Sequence, residues 1–296
     1  MGNILTKQFY RQRKDFEDSC AGRDAGLTFP EGVICSTDIA YADDGIKAHV
    51  LDIYRPEDSQ EKILPVIINV HGGGLIIGNK EFNRYFCALL CKKGFLVYSI
   101  EYRLIPDCLI YDQIADVFMA MDYIKERLAA DGGDSSHVYM AGDSGGACLI
   151  TYANAIQNST NIARVANVTP SGLRINALGL ISGMFYTSRF DKIGLFLPKY
   201  LYGRDYKKTP FAKYVNPENR ELLNSLAPVW LVTSHNDFLR RYTTDFEKAL
   251  TRAEREHELV VFPKNKKLTH AFSVFEPFMP ESGAVIDMMV EYLRKF

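Results

Sequence analysis

The sequence predicts a doubly wound α/β domain: a mostly parallel eight-stranded sheet with helices on both faces and a small helical cap. Three observations predict it. Short apolar runs rich in β-branched residues alternate with longer segments whose apolar residues recur every three or four positions. A chain of 296 residues with 47% hydrophobic content holds enough material for one large buried core. No internal repeat or low-complexity linker divides it, so residues 1–296 read as a single domain.

Strand-like runs fall at 33–41, 49–54, 65–70, 95–101, 137–141, 177–181, 228–233 and 258–262. The first two are joined across an Asp43-Asp44-Gly45 turn and read as an antiparallel hairpin at one edge of the sheet. From about residue 65 onward the gaps carry helical patterns, clearest at 81–92, 111–129, 146–156, 239–256 and 283–295. That alternation places helices over both faces of parallel strands. Two stretches fall outside the rhythm, about 1–30 and an aromatic stretch at about 184–220, and both are assigned to the cap.

Bulk charge narrows the partners. The formal net charge is −1, with acidic and basic residues interspersed, which provides no overall electrostatic footprint for nucleic acid or an anionic membrane. Cys20, Cys35, Cys87, Cys91, Cys108 and Cys148 lie in apolar or helical contexts and read as buried thiols. Cys87 and Cys91 sit four apart, but no matching His or Cys pair makes them half of a metal site. No stretch has the length of a bilayer span, and residues 1–13 do not resemble a signal peptide, so the expectation is a cytoplasmic protein without stable membrane insertion. Met1-Gly2-Asn3-Ile4-Leu5-Thr6 fits the loose pattern for myristoylation at Gly2.

The chemistry concentrates at three loops. Between the strand at 137–141 and the following helix lies Gly142-Asp143-Ser144-Gly145-Gly146, a G-x-S-x-G sequence. At a sharp strand-to-helix turn the serine backbone is strained and its hydroxyl stands above the sheet, beside the first free N–H groups of the helix. Ser144 is the predicted nucleophile. The letters GDSGG also occur in chymotrypsin-like proteases, but those are all-β proteins whose His and Asp precede the serine.

The strand at 65–70 runs into His71-Gly72-Gly73-Gly74. Three consecutive glycines suit a loop whose N–H groups point at a substrate oxygen, and Gly72, Gly73 and Gly145 are the predicted oxyanion donors. Neither a Walker-type nor a G-x-G-x-x-G spacing is present, which argues against a phosphate loop. His71 reads as a support for the loop.

Downstream, the strand at 228–233 is followed by Ser234-His235-Asn236-Asp237, and the last strand by a loop ending in His270. The order Ser, acid, base along the chain, each after a strand, makes Asp237 the acid and His270 the base. For Asp237 a helix N-cap is the alternative role. His235 leaves no acid ahead of it, and His257 ends a charged helix.

Together the HGGG loop, the GDSGG turn and the His270-Ala271-Phe272 base loop resemble the hormone-sensitive-lipase-like branch of α/β-hydrolases, over roughly residues 60–275. The run Tyr102-Arg103-Leu104-Ile105-Pro106-Asp107 is similar to that branch's YRL-x-P-E, with Asp116 at the matching downstream aspartate. Glu101, Asp107, Gly145 and Phe238 depart from its usual Asp, Glu, Ala and Pro. The resemblance implies an α/β-hydrolase fold, a cap built partly from the N-terminus, and a serine carboxylesterase that needs neither metal nor organic cofactor. A ligand-binding receptor or scaffold on the same fold, or an amidase or peptidase, are the alternatives.

The expected partner is a small ester. Cap aromatics Phe185, Tyr186, Phe196 and Tyr200 are the predicted substrate-binding residues. Short to medium chains are favoured because no exposed apolar surface for a lipid interface is evident in the sequence. Oligomeric state is not legible.

Overall fold

The computed structural model describes residues 2–59 and 62–296, with side chains from Leu5 onward. Met1, where the lipidation pattern begins, lies outside the described residues.

Eight strands form one sheet: β1 (Val33–Ala40), β2 (Val50–Pro56), β3 (Leu64–Val70), β4 (Leu96–Ile100), β5 (Gly133–Asp143), β6 (Ala177–Ile181), β7 (Val229–Ser234) and β8 (His257–Phe262). Their spatial order is β1-β2-β4-β3-β5-β6-β7-β8. β2 pairs antiparallel with both β1 and β4, and every pair from β4 to β8 is parallel. Each predicted strand is present, and the first two form the predicted edge hairpin.

Helices follow the strands: α1 (Gly2–Asp24), α2 (Arg84–Lys92), α3 (Ile110–Arg127), α4 (Ser144–Asn158), α5 (Thr160–Ala166), α6 (Lys192–Phe196), α7 (Pro198–Leu201), α8 (Arg220–Asn224), α9 (Arg240–Arg252), α10 (Phe272–Phe275) and α11 (Pro280–Leu293). Strand alternation divides the core between the two faces. Val66, Ile68 and Val70 of β3 pack with α3, α4 and α9 on one face, while Ile67 packs with α2 and α11 on the other.

The sheet order fixes where a site forms. From β3 the chain moves to β4 on one side, then returns to place β5 on the other, so the loops after β3 and β5 diverge and leave a crevice at the strands' carboxyl ends. The glycine loop follows β3 and Ser144 follows β5.

Both segments outside the sheet rhythm carry helices. α1 is strapped across the carboxyl end of the sheet by Arg13, whose guanidinium donates to the carbonyls of Ile76 (2.8 Å), Leu104 (2.9 Å) and Ile105 (2.7 Å) and pairs with Asp107. Tyr10 donates to the same Asp107 carboxylate. Phe9 meets Tyr200 edge-on, joining α1 to the segment that holds α6 and α7.

Candidate active site

Ser144 is the first residue of α4, and its backbone sits at φ +48°, a left-handed conformation costing a non-glycine residue roughly 1–3 kcal/mol. Pairing of β5 with β3 and β6 up to Asp143 forces the reversal there. The hydroxyl is thereby placed at the amino terminus of α4, where free N–H groups favour negative charge.

His270 reaches it from the loop after β8. That loop is held by Ser234 Oγ, which donates to the Leu268 carbonyl at 2.5 Å, and by Ser182 Oγ, which accepts the Ala271 N–H at 3.1 Å. The ring's Nε2 lies 2.9 Å from Ser144 Oγ and its Nδ1 lies 2.7 Å from Asp237 Oδ1. Asp237 also accepts the Leu239 N–H at 2.8 Å and the Thr233 hydroxyl at 2.9 Å. Burial alone raises its pKa, but His270, Ser182 and the Leu239 amide outweigh that and hold the carboxyl below its ordinary value. An ionised carboxylate only accepts, so Nδ1 carries the proton and Nε2 is free to accept from Ser144. The N-cap role left open for Asp237 is present only in part: it accepts from Leu239 just ahead of α9, while its side chain also bonds His270 and Thr233.

The glycine loop corrects one expectation. Gly72 donates its N–H to Asp143 Oδ1 at 3.0 Å, so that amide is committed to the carboxylate and cannot serve a substrate oxygen. Gly73 and Gly74 line the cavity beside Ser144, and among the described residues neither N–H has a protein acceptor. The donors presented to the cavity are therefore Gly73 and Gly74, with Gly145 adjoining them. Gly73 has φ +103°, and a Cβ there would lie 1.9 Å from the Ile77 carbonyl oxygen, so only glycine fits.

A buried network supports this loop. Asp143 also accepts from Asn83 Nδ2 at 3.0 Å, and burial raises its pKa against the pull of Asn83 and the two nearby histidines. His71 holds Glu101 through Nε2 at 2.8 Å and stacks on Tyr102, whose hydroxyl donates to the His71 carbonyl at 2.8 Å. Burial lowers the His71 pKa, yet Glu101 beside it leaves the net shift upward. Its support role is thus visible, and Glu101, which stands where the resembled branch has aspartate, supplies the carboxylate. Asp116, the other matched position, is buried against Arg103 and His49.

The cavity over Ser144 has a volume of about 410 Å³ and an almost wholly apolar wall. Phe16 of α1, Phe82 and Phe275 cluster on it, with ring centroids 4.6 to 6.5 Å apart. Met184, Ile193, Leu197 and Phe238 also line it, and Phe238 tilts against the His270 ring at 4.4 Å.

None of the four predicted substrate-binding aromatics lines this cavity. Phe185 is buried in a stack on Phe246, and Tyr186 donates to Glu218 and packs on Tyr242. Tyr200 is turned to Phe9, and Phe196 points outward. Phe185 and Tyr186 are taken up by α9 and Tyr200 by α1, while Ile193 of α6 and Leu197 just after it face the cavity. Phe16 was hidden in the sequence by the strongly polar character of α1. A second correction concerns the surface: Phe190, Leu195, Phe196 and Phe238 are large apolar side chains more than half exposed beside this cavity. Of the cysteines, Cys35 and Cys108 are only partly buried; burial nonetheless pushes Cys35 up to about 11 and Cys148 up to about 12, away from thiolate chemistry.

Fold and site together define an α/β protein with a Ser–His–Asp hydrogen-bonded chain at the switch point of a parallel sheet. The chain belongs to the alpha/beta hydrolase fold family, whose model matches residues 67–273. It is 29% identical over 184 residues to a probable isoprenylcysteine alpha-carbonyl methylesterase of Oryza sativa subsp. japonica, covering 58% of this chain and 44% of the relative. Esterase LipQ of Mycobacterium tuberculosis is 32% identical over 120 residues, covering 40% and 28%. The chain thus spans less than half the length of these curated relatives. Esterase B from Lactobacillus Rhamnosis superposes with a TM-score of 0.92 over 99% of this chain and 95% of that one, at 22% identity, a likeness of fold.

Proposed function

We propose that the protein is a serine carboxylic-ester hydrolase acting through an acyl-enzyme intermediate. The observation that carries this reading is the continuous relay from Asp237 through His270 to Ser144, opening on an apolar cavity lined by glycine amides. His270 Nε2 takes the hydroxyl proton as Ser144 Oγ attacks the ester carbonyl. The carbonyl oxygen becomes an oxyanion facing Gly73, Gly74 and Gly145, and Asp237 stabilises the imidazolium. Collapse expels the alcohol, which receives the proton from His270. Water deprotonated by the same ring then releases the acid and restores the serine.

The apolar wall favours an uncharged acyl or alcohol group, and the volume of about 410 Å³ suits short to medium chains. Names of the rice and mycobacterial relatives, a methylesterase and an esterase, support ester over amide as the bond cleaved. Six free thiols accord with a reducing, cytoplasmic setting. Among the described residues no helix is long and apolar enough to cross a membrane.

Turnover of p-nitrophenyl acetate by Ser144→Ala tests the reading. Loss of at least about 1,000-fold in kcat is expected; unchanged turnover would reject Ser144 as nucleophile and leave a binding protein on this fold.

A further inference from the structure

Five large apolar side chains are more than half exposed among the described residues; one of them, Phe238, lines the Ser144 cavity, and three more, Phe190, Leu195 and Phe196, stand in or just ahead of α6, whose Ile193 lines it too. Those segments adjoin. Phe238 lines the cavity from the loop before α9, while Ile193 and Leu197 line it from α6 and the residue that follows. Tyr242 of α9 donates to Asp191, the N-cap of α6, at 2.6 Å. A third segment, the loop before His270, is tied to the second by Asn236 Oδ1, which accepts the Asn265 N–H at 3.2 Å. α6 therefore presents apolar side chains both into the cavity and away from it.

Charge on the same three segments is one-sided. Lys192 and Lys199 flank the exposed Leu195 and Phe196. Arg240 and Arg241 follow Phe238, and Lys264, Lys266 and Lys267 crowd the third loop. None of these seven cations has a carboxylate partner among the described residues. The acids present are already committed, Asp191 to the Gly194 amide and Tyr242, and Asp237 to His270. These three adjoining segments thus carry seven cations without a carboxylate partner among the described residues, while Glu17, Asp18 and Glu276 lie on the side of Phe16 and Phe275.

Interleaved cations and exposed aromatics fit an anionic lipid surface: phosphates meet the lysines while the apolar side chains enter the headgroup boundary. We infer that this rim docks the protein reversibly on anionic phospholipid, with the mouth of the Ser144 cavity facing the bilayer. The mouth's orientation rests on the esterase reading; the docking does not. Embedded esters then reach Ser144 by way of Ile193 and Leu197 without crossing open water.

Flotation of the full chain carrying Ser144→Ala with vesicles tests this without turnover. Partition onto phosphatidylcholine vesicles containing phosphatidylserine is expected, with little onto phosphatidylcholine alone, and weakening from about 0.1 M to 0.5 M salt. The combined Lys264→Gln, Lys266→Gln and Lys267→Gln variant should lose on the order of 100-fold in partition, with turnover of soluble p-nitrophenyl acetate unchanged in the Ser144 background. Phe196→Ser should weaken partition on its own. Absent or charge-independent partition would overturn the inference, as would salt-sensitive inhibition by a soluble anionic ester without vesicle binding. An inactive wild-type protein that still floats refutes the esterase reading alone; an active esterase that ignores both vesicles refutes only the docking.

Discussion

The carboxylate of Asp143 holds the N–H of Gly72 at 3.0 Å, so the residue immediately before Ser144 also fixes the glycine loop that faces it. The turn that holds Ser144 and the glycine loop are thereby linked, with Asn83 bonded to the same carboxylate. Asp143→Ala leaves the Gly72 amide and the Asn83 side chain buried without this partner, at about 1–3 kcal/mol for each group. Expected are a lower melting temperature and a kcat reduced by about tenfold or more, with KM for a small soluble ester changed less. An unchanged kcat would separate the loop from the chemistry.

Gly145 sets the clearance on the other side of the same unit. A Cβ at this position would lie 2.9 Å from the Leu75 nitrogen and 3.1 Å from that of Gly74, both backbone atoms that move only with the loop. Gly145→Ala restores the residue usual in the resembled branch, yet here it should lower kcat by about 10- to 100-fold, because displacing oxyanion donors by a fraction of an ångström already costs that much. Steady-state kinetics on p-nitrophenyl butyrate check it. A gain in kcat would mean that the loop relaxes freely.

The cavity over Ser144 owes part of its wall to the amino-terminal helix. Phe16 reaches it from α1, held one turn away from the Arg13 clasp on Ile76, Leu104 and Ile105. Phe16→Ala should open the cavity and shift the chain-length optimum of a p-nitrophenyl ester series upward, mainly through KM. A proportional loss for every chain length would assign Phe16 a purely structural role.

Asp237 links the site to acid stability. Its pKa is depressed in the folded protein, so it contributes stability that is fully present above the unfolded value of about 4 and lost as pH falls through the lower folded value. Melting temperatures of wild type and Asp237→Asn should differ most near pH 7 and converge below about pH 4. A difference that grows on acidification would have the opposite sign and would contradict the assignment.

Legibility in the sequence followed the physics of each element. β3, β4 and β7 are buried on both faces, and continuous apolar runs announced them. Ser144, Asp237 and His270 were readable because each follows a strand in the order that this sheet topology brings together. The helix at residues 2–24 was expected only as part of the cap and not from its own pattern, since α1 is polar along most of its length and its few apolar side chains packed on the core, Phe9, Phe16 and Cys20, are supplemented by the clasp of Arg13 and Tyr10. The donor role of Gly72 failed for a different reason: which of three adjacent amides points inward depends on where a side chain from another loop, Asp143, happens to accept. The lining is not legible from the 184–220 stretch, because Phe185 and Tyr186 pack against α9 and leave that side of the cavity to Met184, Ile193 and Leu197, while the aromatic wall comes from Phe16, Phe82, Phe238 and Phe275 on other segments.

The most direct test of the account is the rate at which a fluorophosphonate modifies the protein, with the site located by peptide mass spectrometry. The geometry predicts a single adduct on Ser144, formed at least about 1,000-fold more slowly in His270→Ala, because the imidazole 2.9 Å from Oγ is what makes that hydroxyl a nucleophile. An adduct on another residue, or equal rates with and without the histidine, would contradict it.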